Sequence, residues 1–182
     1  MNNENVHVLT TQGNYITLQE WQKKYELTGD KIGKYFSLRE KRFQDDLDLY
    51  TTLVVCEPLI RVLDALRADV GHALHINSFN RDQAKQNKLK AQGFRAAQFS
   101  PHVVKMAADV DTWTVEQTRA LARRAVDVAK KLNIPVRVGS EQYIKEGSSF
   151  IHIDVCPVYF GPGKPFDSVS HPIQWTKAYS QW

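Results

Sequence analysis

The feature that most restricts how this chain can fold is a pair of short stretches in which histidine and aspartate alternate with apolar residues. The stretches are residues 107–111 and 150–155. If both are β-strands, their period of two places every second side chain on the same face of a sheet. One face is then apolar, and the other carries Ala107, Asp109, Asp111, Phe150, His152 and Asp154.

Brought together in one sheet, these strands would aim His102, Asp109 and His152 at a common point. Two imidazole nitrogens and one carboxylate oxygen leave the fourth position of a tetrahedral zinc ion open, as in catalytic rather than structural sites. A water held there would be acidified and oriented for attack on a carbonyl. A single histidine or aspartate on a strand is more often a surface or hydrogen-bonded residue, so the prediction depends on the joint pattern.

The same pattern resembles the motifs of a known family. The residues that carry the resemblance are Ser100, His102, Ala107, Asp109, His152 and Asp154. Their spacing is similar to the Ser-x-His, Ala-x-Asp and His-x-Asp signatures of M15-type zinc peptidases. This group includes D-alanyl-D-alanine carboxypeptidases, murein endopeptidases and phage endolysins. Upstream, residues 76–81 resemble the family's Ser-Gly-Tyr-Arg segment, and residues 35–40 resemble its Phe-Ser-Leu-Arg-Glu segment. The similarity covers residues 35–160.

The resemblance implies a zinc peptidase that hydrolyses peptidoglycan stem peptides or cross-links containing D-amino acids. It implies that Zn²⁺ is held by His102, Asp109 and His152, with Arg81 near the substrate carbonyl or carboxylate. Residues that would contact substrate on the same basis are Ser78, Asn87 and Ser100. Whether such an enzyme trims a terminal residue or cuts a cross-link stays open.

Two positions depart from the family pattern. Lys105 stands where the family usually has glycine, so the turn between the first two ligands lacks a residue that tolerates positive φ cheaply. Ser149 stands where many members carry the catalytic base of a Glu-x-x-His motif. Asp154 and Glu141 rank equally as replacements. Asp154 could instead orient a ligand, and Glu141 lies in a loop that could swing over the metal. Asp111 ranks behind them, and each carboxylate could instead be structural or solvated.

The remaining pattern predicts an α+β fold, in which a small antiparallel sheet carries the metal site and packs with several helices. Capping boxes predict helices that begin after Thr17 and Thr114. Further helices are expected at residues 52–68 and 82–92. Pro58 favours the first turn of a helix, so the regular part of the first of these can begin near Cys56, and Gly71 should end it. A polar hairpin-like loop is expected at 139–149, and the strands that it joins, at 134–138 and 150–155, are then expected to be antiparallel neighbours. The predicted divisions are a lead-in at 1–34, a peptidase domain at 35–160 and an aromatic tail at 161–182.

Composition excludes few classes of protein. The chain has 182 residues and a net charge of +4. That charge could suggest nucleic acid, but much of it lies on one solvated helix face and no nucleic-acid motif accompanies it. A basic nucleic-acid-binding domain is therefore the weakest hypothesis. A non-catalytic, metal-containing cell-wall-binding protein that has lost its base is the main alternative to the peptidase.

The start of the sequence carries no secretory signal, and we expect no membrane segment. The protein is then either cytoplasmic until release, as a phage lysin would be, or exported by a signal missing from this sequence. We expect a monomer. Cys56 and Cys156 are expected to be small buried side chains, with a disulfide as the less favoured alternative.

Overall fold

The computed structural model describes residues 5–40, 42–43, 53–92 and 100–160. These residues form two small sheets packed with helices, so the predicted α+β class is confirmed. The strands are β1 (Val6–Leu9), β2 (Tyr15–Thr17), β3 (Leu53–Cys56), β4 (Ile76–Ser78), β5 (Ala107–Asp111), β6 (Arg137–Gly139) and β7 (Phe150–Asp154). The helices are α1 (Leu18–Lys24), α2 (Glu57–Val70), α3 (Gln83–Ala91), α4 (Val115–Leu132), α5 (Glu141–Lys145) and α6 (Cys156–Phe160).

The first sheet joins the N-terminal segment to the rest of the protein. Strand β1 lies between β2, to which it is antiparallel, and β3, to which it is parallel. The predicted capping box is present, because the Thr17 side chain accepts from the Glu20 amide while the Glu20 carboxylate accepts from the Thr17 amide. The indole of Trp21 is buried and donates to the Ile32 carbonyl at 3.0 Å.

The helix predicted at 52–68 begins later than its first residues, near Cys56, as the position of Pro58 indicated. Strand β3 occupies Leu53–Cys56, and α2 begins only at Glu57. Pro58 lies in the first turn of α2, where a missing amide hydrogen costs nothing. The preceding Leu-Val-Val-Cys run is rich in β-branched residues, which favour a pleated strand that can pair with β1. The helix ends at Gly71, whose φ of 77° is left-handed, as expected.

The second sheet contains the two alternating stretches as neighbours. Its order is β4-β5-β7-β6, and every pairing is antiparallel. Asp109 lies directly opposite His152, and Ala107 lies opposite Asp154. The alternation predicted from sequence therefore describes the real faces of these strands.

Helix α4 packs against the sheet and α2, and its apolar stripe joins the core with the apolar residues of β5 and β7. The second predicted capping box starts α4, with Thr114 as the N-cap and Gln117 as its partner. Asn133 ends the helix in a left-handed conformation, with φ of 53°. Buried core residues on these elements are Leu121, Ala125, Val128, Ala108, Val110, Ile151 and Ile153.

The connection at 139–149 is not the plain loop that its polar composition suggests. Its first half forms the short helix α5, which ends at Lys145 and packs near α4 and β7. The ring of Tyr143 lies 4.2 Å from that of Phe150, centroid to centroid, so an aromatic contact ties the segment down. The antiparallel pairing of β6 with β7 is as predicted.

The cysteines are buried and do not form a disulfide. Burial raises the pKa of the Cys56 thiol to about 12, and burial also raises the pKa of Cys156, so both are neutral near pH 7. Among the described residues, no helix combines the length and apolar character needed to cross a membrane. The expected aromatic tail at 161–182 lies outside the described residues.

Candidate metal centre

Three side chains meet on the polar face of the second sheet. His102 Nε2 lies 3.2 Å from His152 Nδ1 and 3.2 Å from one carboxylate oxygen of Asp109. His152 Nδ1 lies 2.8 Å from the other oxygen of Asp109. All three residues are buried, with exposures of 2%, 8% and 4% for His102, Asp109 and His152. Each offers one ligand atom, and these atoms lie within 4.8 Å of one another.

The backbone explains why these side chains converge. Asp109 and His152 are opposite residues of β5 and β7. His102 comes from the turn before β5, which is closed by a hydrogen bond from the Met106 amide to the Pro101 carbonyl at 3.0 Å. Lys105 occupies that turn with φ of 66°, which is a left-handed conformation. The position where the M15-type motif usually has glycine is therefore left-handed here, although a lysine occupies it.

Both imidazoles are oriented by partners behind them. His102 Nδ1 lies 2.7 Å from the carbonyl oxygen of Phe79, which can only accept, so Nδ1 carries the hydrogen and Nε2 turns its lone pair towards Asp109. His152 Nε2 lies 3.4 Å from a carboxylate oxygen of Asp154, which likewise leaves His152 Nδ1 as the inward-facing nitrogen. Once His152 gives up its Nδ1 proton, two inward lone pairs beside a carboxylate form the donor set that zinc prefers, so the residues fit this ion.

The charges of the cluster also suit a cation. Burial alone would raise the pKa of Asp109, but the charge and hydrogen bonds of His102 and His152 hold it well below its usual range. Burial lowers the pKa of His102 despite the attraction of Asp109. Burial also opposes the charged form of His152, but the hydrogen bond to Asp109 and the attraction of Asp154 outweigh it and raise the pKa of His152 to about 8. The site therefore keeps a buried carboxylate ionised.

Asp154 lies behind His152 and is fully buried. Both of its oxygens accept from Arg137 Nε at 3.0 Å, and one also accepts from the Cys156 amide at 3.1 Å. Burial alone would raise the pKa of Asp154, but His152 and the positive charge of Arg137 hold it below its usual value. Its contacts are those of a residue that orients a neighbour.

Arg81 lies beside the cluster. Its Nη2 is 3.8 Å from an oxygen of Asp109 and donates to Ser78 Oγ at 3.1 Å. Its Nη1 donates to the buried Gln86 at 2.7 Å, and its backbone amide donates to the His102 carbonyl at 3.2 Å. The guanidinium is thus attached to β4 and α3, and the Arg81 backbone is attached to the turn that carries His102.

The other residues singled out from sequence lie in different settings. Glu141 is exposed and forms a two-point ion pair with Arg119, at 2.7 and 3.0 Å. Asp111 is partly exposed and contacts His75 at 3.0 Å and Asn77 at 2.9 Å.

Two residues expected to contact substrate have local roles in the structure. Ser100 is buried, and its hydroxyl accepts from the His102 amide at 3.3 Å, so it shapes the turn. Asn87 is exposed and accepts from Gln83 at 2.9 Å. Among the described residues, no contact joins Asn87 to Arg81. The residue of α3 that contacts Arg81 is Gln86, one position earlier.

Sequence reasoning missed Arg137 and Gln86. Arg137 had a signal, because a charged residue between Val136 and Val138 in an apolar run must find a buried partner. Gln86 gave no such sequence signal, because most residues of α3 are polar and a single buried position cannot be recognised from their spacing.

Comparison with known proteins adds little to this geometry. No protein-family model matches the chain, and no match is found among curated proteins. Among solved structures, the chain is similar to the Serratia marcescens L-Ala D-Glu endopeptidase ChiX, at 20% sequence identity and a TM-score of 0.49. The alignment covers 65% of this chain and 95% of that chain. Similarity at this level assigns neither a family nor an activity.

Proposed function

We propose that this protein is a zinc-dependent peptidase that hydrolyses peptide bonds of peptidoglycan. The observation that carries the proposal is the buried convergence of His102, Asp109 and His152, whose imidazoles are held by the Phe79 carbonyl and by Asp154. Zinc bound by these residues would supply the Lewis acidity that activates water and polarises a peptide carbonyl.

Arg81 is the residue that would meet the substrate's negative charge. Its guanidinium lies 3.8 Å from Asp109 and is held in place by Ser78 and Gln86. A fixed fork of donors beside the ligand set can stabilise a developing oxyanion or bind a substrate carboxylate. Ser78 and Gln86 support this role by limiting the rotation of the guanidinium.

Asp154 acts in this proposal by orienting His152, and the base is a different group. Asp154 is fully buried and both its oxygens accept hydrogen bonds, so water has no direct approach to it. Two carboxylates remain as candidates for the general base. Glu141 could take this role if it leaves Arg119 and binds the attacking water. Asp111 lies on the ligand face of β5.

The proposed substrate class, peptidoglycan peptides, rests on the resemblance of the sequence to M15-type peptidase motifs. Stem peptides of peptidoglycan carry free carboxylates, which suit a site that presents Arg81. The test is digestion of purified peptidoglycan, with the new amino and carboxyl termini identified by mass spectrometry. His102→Ala is the control. New termini with the parent protein and none with this variant would support the proposal. Intact peptidoglycan and intact stem peptides, with a metal-loaded parent protein, would overturn it.

A non-catalytic metal-containing cell-wall protein is the second candidate. It is favoured by Ser149 in the position of the family's base and by the engagement of Asp154, Glu141 and Asp111 with other side chains. Such a protein would bind zinc and sediment with peptidoglycan but release no termini. Digestion and sedimentation of the same metal-loaded sample therefore separate the two functions.

A further inference from the structure

Arg137 and Asp154 form an ion pair in the interior of the protein. Their side chains have exposures of 3% and 0%, and the residues are directly opposite each other on β6 and β7. Arg137 Nε lies 3.0 Å from both oxygens of the carboxylate. The carboxylate is therefore held by an arginine on one strand and by the Cys156 amide at the end of its own strand.

Stability alone does not explain a pair in this position. Removing two charges from water is costly, and well-packed apolar residues of similar volume often replace a buried ion pair without loss. The remaining contact of the carboxylate, with His152 Nε2 at 3.4 Å, indicates what the pair is for.

We propose that Arg137 is a positioning residue for the metal site, which acts on His152 through Asp154. Arg137 Nε holds both oxygens of Asp154 and stops the carboxylate from rotating, so one oxygen stays behind His152 Nε2. That contact sets the orientation of the imidazole and directs Nδ1 towards Asp109 and His102. Groups that orient metal-binding histidines contribute about 10–100-fold in metal affinity. The inference rests on the proposed zinc site.

The geometry distinguishes arginine from lysine at this position. A lysine retains the charge, but its ammonium is a compact point charge on a flexible stem, whereas the Nε that contacts Asp154 belongs to a rigid, planar guanidinium. If Arg137 only balanced the charge of Asp154, lysine would serve equally well. If it fixes the carboxylate, lysine restores only part of the metal affinity.

The test measures the zinc dissociation constant by competition with a chromophoric chelator, for the parent protein, Arg137→Met and Arg137→Lys. Arg124→Met is the matched control, because it also removes one positive charge and breaks the exposed ion pair of Arg124 with Asp69. The visible absorption of bound cobalt(II) is recorded for each protein as a second readout, since it reports ligand geometry. Thermal unfolding of each metal-free protein shows whether the variant is folded.

We expect Arg137→Met to weaken zinc binding by about 10–100-fold and to change the cobalt spectrum. Arg137→Lys should fall between it and the parent protein, and Arg124→Met should match the parent. Equal zinc affinity and equal spectra for the parent, Arg137→Met and Arg137→Lys would overturn the inference while leaving the zinc site intact. If Arg137→Met does not fold, a lysine variant with parental affinity and spectrum is sufficient to overturn it. A parent protein that binds neither zinc nor cobalt would instead refute the proposed function.

Discussion

Asp109 and His152 are directly opposite each other on adjacent antiparallel strands, and His152 Nδ1 lies 2.8 Å from an oxygen of Asp109. The candidate metal centre is therefore built into the register of β5 and β7. A slip of one residue would move one of the two side chains to the apolar face, so the core that fixes the register also fixes the site.

Replacing Arg81 with lysine should reduce peptide hydrolysis without removing the metal. Lysine cannot reproduce the two-armed contact with Ser78 and Gln86, so the charge beside Asp109 loses its fixed position. We expect kcat/KM to fall by about 10²–10³-fold, with zinc content unchanged. Arg124→Lys, at the exposed pair with Asp69, is the control and should retain activity. Parental activity in Arg81→Lys would remove Arg81 from the mechanism.

The general base can be identified with two amide variants. One of Glu141→Gln and Asp111→Asn should lower kcat by about 10²–10⁴-fold while zinc affinity stays constant. Asp154→Asn should differ from both, because it loses metal affinity through His152. Full activity in both Glu141→Gln and Asp111→Asn would show that neither carboxylate is the base.

Zinc affinity should increase with pH up to about pH 8. The hydrogen bond that His152 makes to Asp109 and the attraction of Asp154 outweigh its burial and raise its pKa to about 8, so a cation must displace a proton at neutral pH. Between about pH 6 and 8 the apparent affinity should rise about tenfold per unit and then level off. A flat profile over that range would contradict the proposed ligand role of His152.

The same proton should affect the stability of the metal-free protein. The folded-state pKa of His152 lies above the usual value of 6.5, so the folded state binds this proton more tightly than the unfolded state does. This contribution to stability is complete below about pH 6.5 and is lost as pH rises through about 8. Thermal unfolding of metal-free His152→Gln should lack this step, and a step that persists in the variant would assign it to another group.

At position 105, glycine should be more stable than alanine. Lys105 has φ of 66°, where glycine has no steric penalty, and we expect a difference of about 1 kcal/mol between the two variants. Lys88, exposed within α3, is a matched control at which the order reverses, because glycine weakens a helix by about 1 kcal/mol relative to alanine. Chemical denaturation measures both pairs, and an alanine variant as stable as the glycine variant would show that the turn relaxes.

The sequence was sufficient to predict the faces of β5 and β7, because strand periodicity alone determines which side chains lie together. It also predicted both capping boxes, which depend on residues only three positions apart. Pro58 indicated that the helix predicted at 52–68 begins near Cys56, but strand β3 before it was not predicted, because its partner is β1, far away in sequence. A local sequence pattern does not show that β3 pairs with β1.

The details of the candidate site were less accessible from sequence. The pairing of Arg137 with Asp154, and of Gln86 with Arg81, depends on how separate elements pack. The sequence ranked Asp154 and Glu141 equally as the base, since both were carboxylates near the ligands along the chain. Their surroundings differ, because one is fully buried against Arg137 and the other lies on the surface with Arg119.

The most direct test of the metal centre is the zinc content of the protein purified without chelators, compared with that of Asp109→Ala. Asp109 supplies the carboxylate between the two imidazoles, and removing it leaves two neutral nitrogens. If these residues form the metal centre, we expect about one zinc per chain in the parent protein and little in the variant. No bound metal in either protein, even after incubation with zinc, would contradict it.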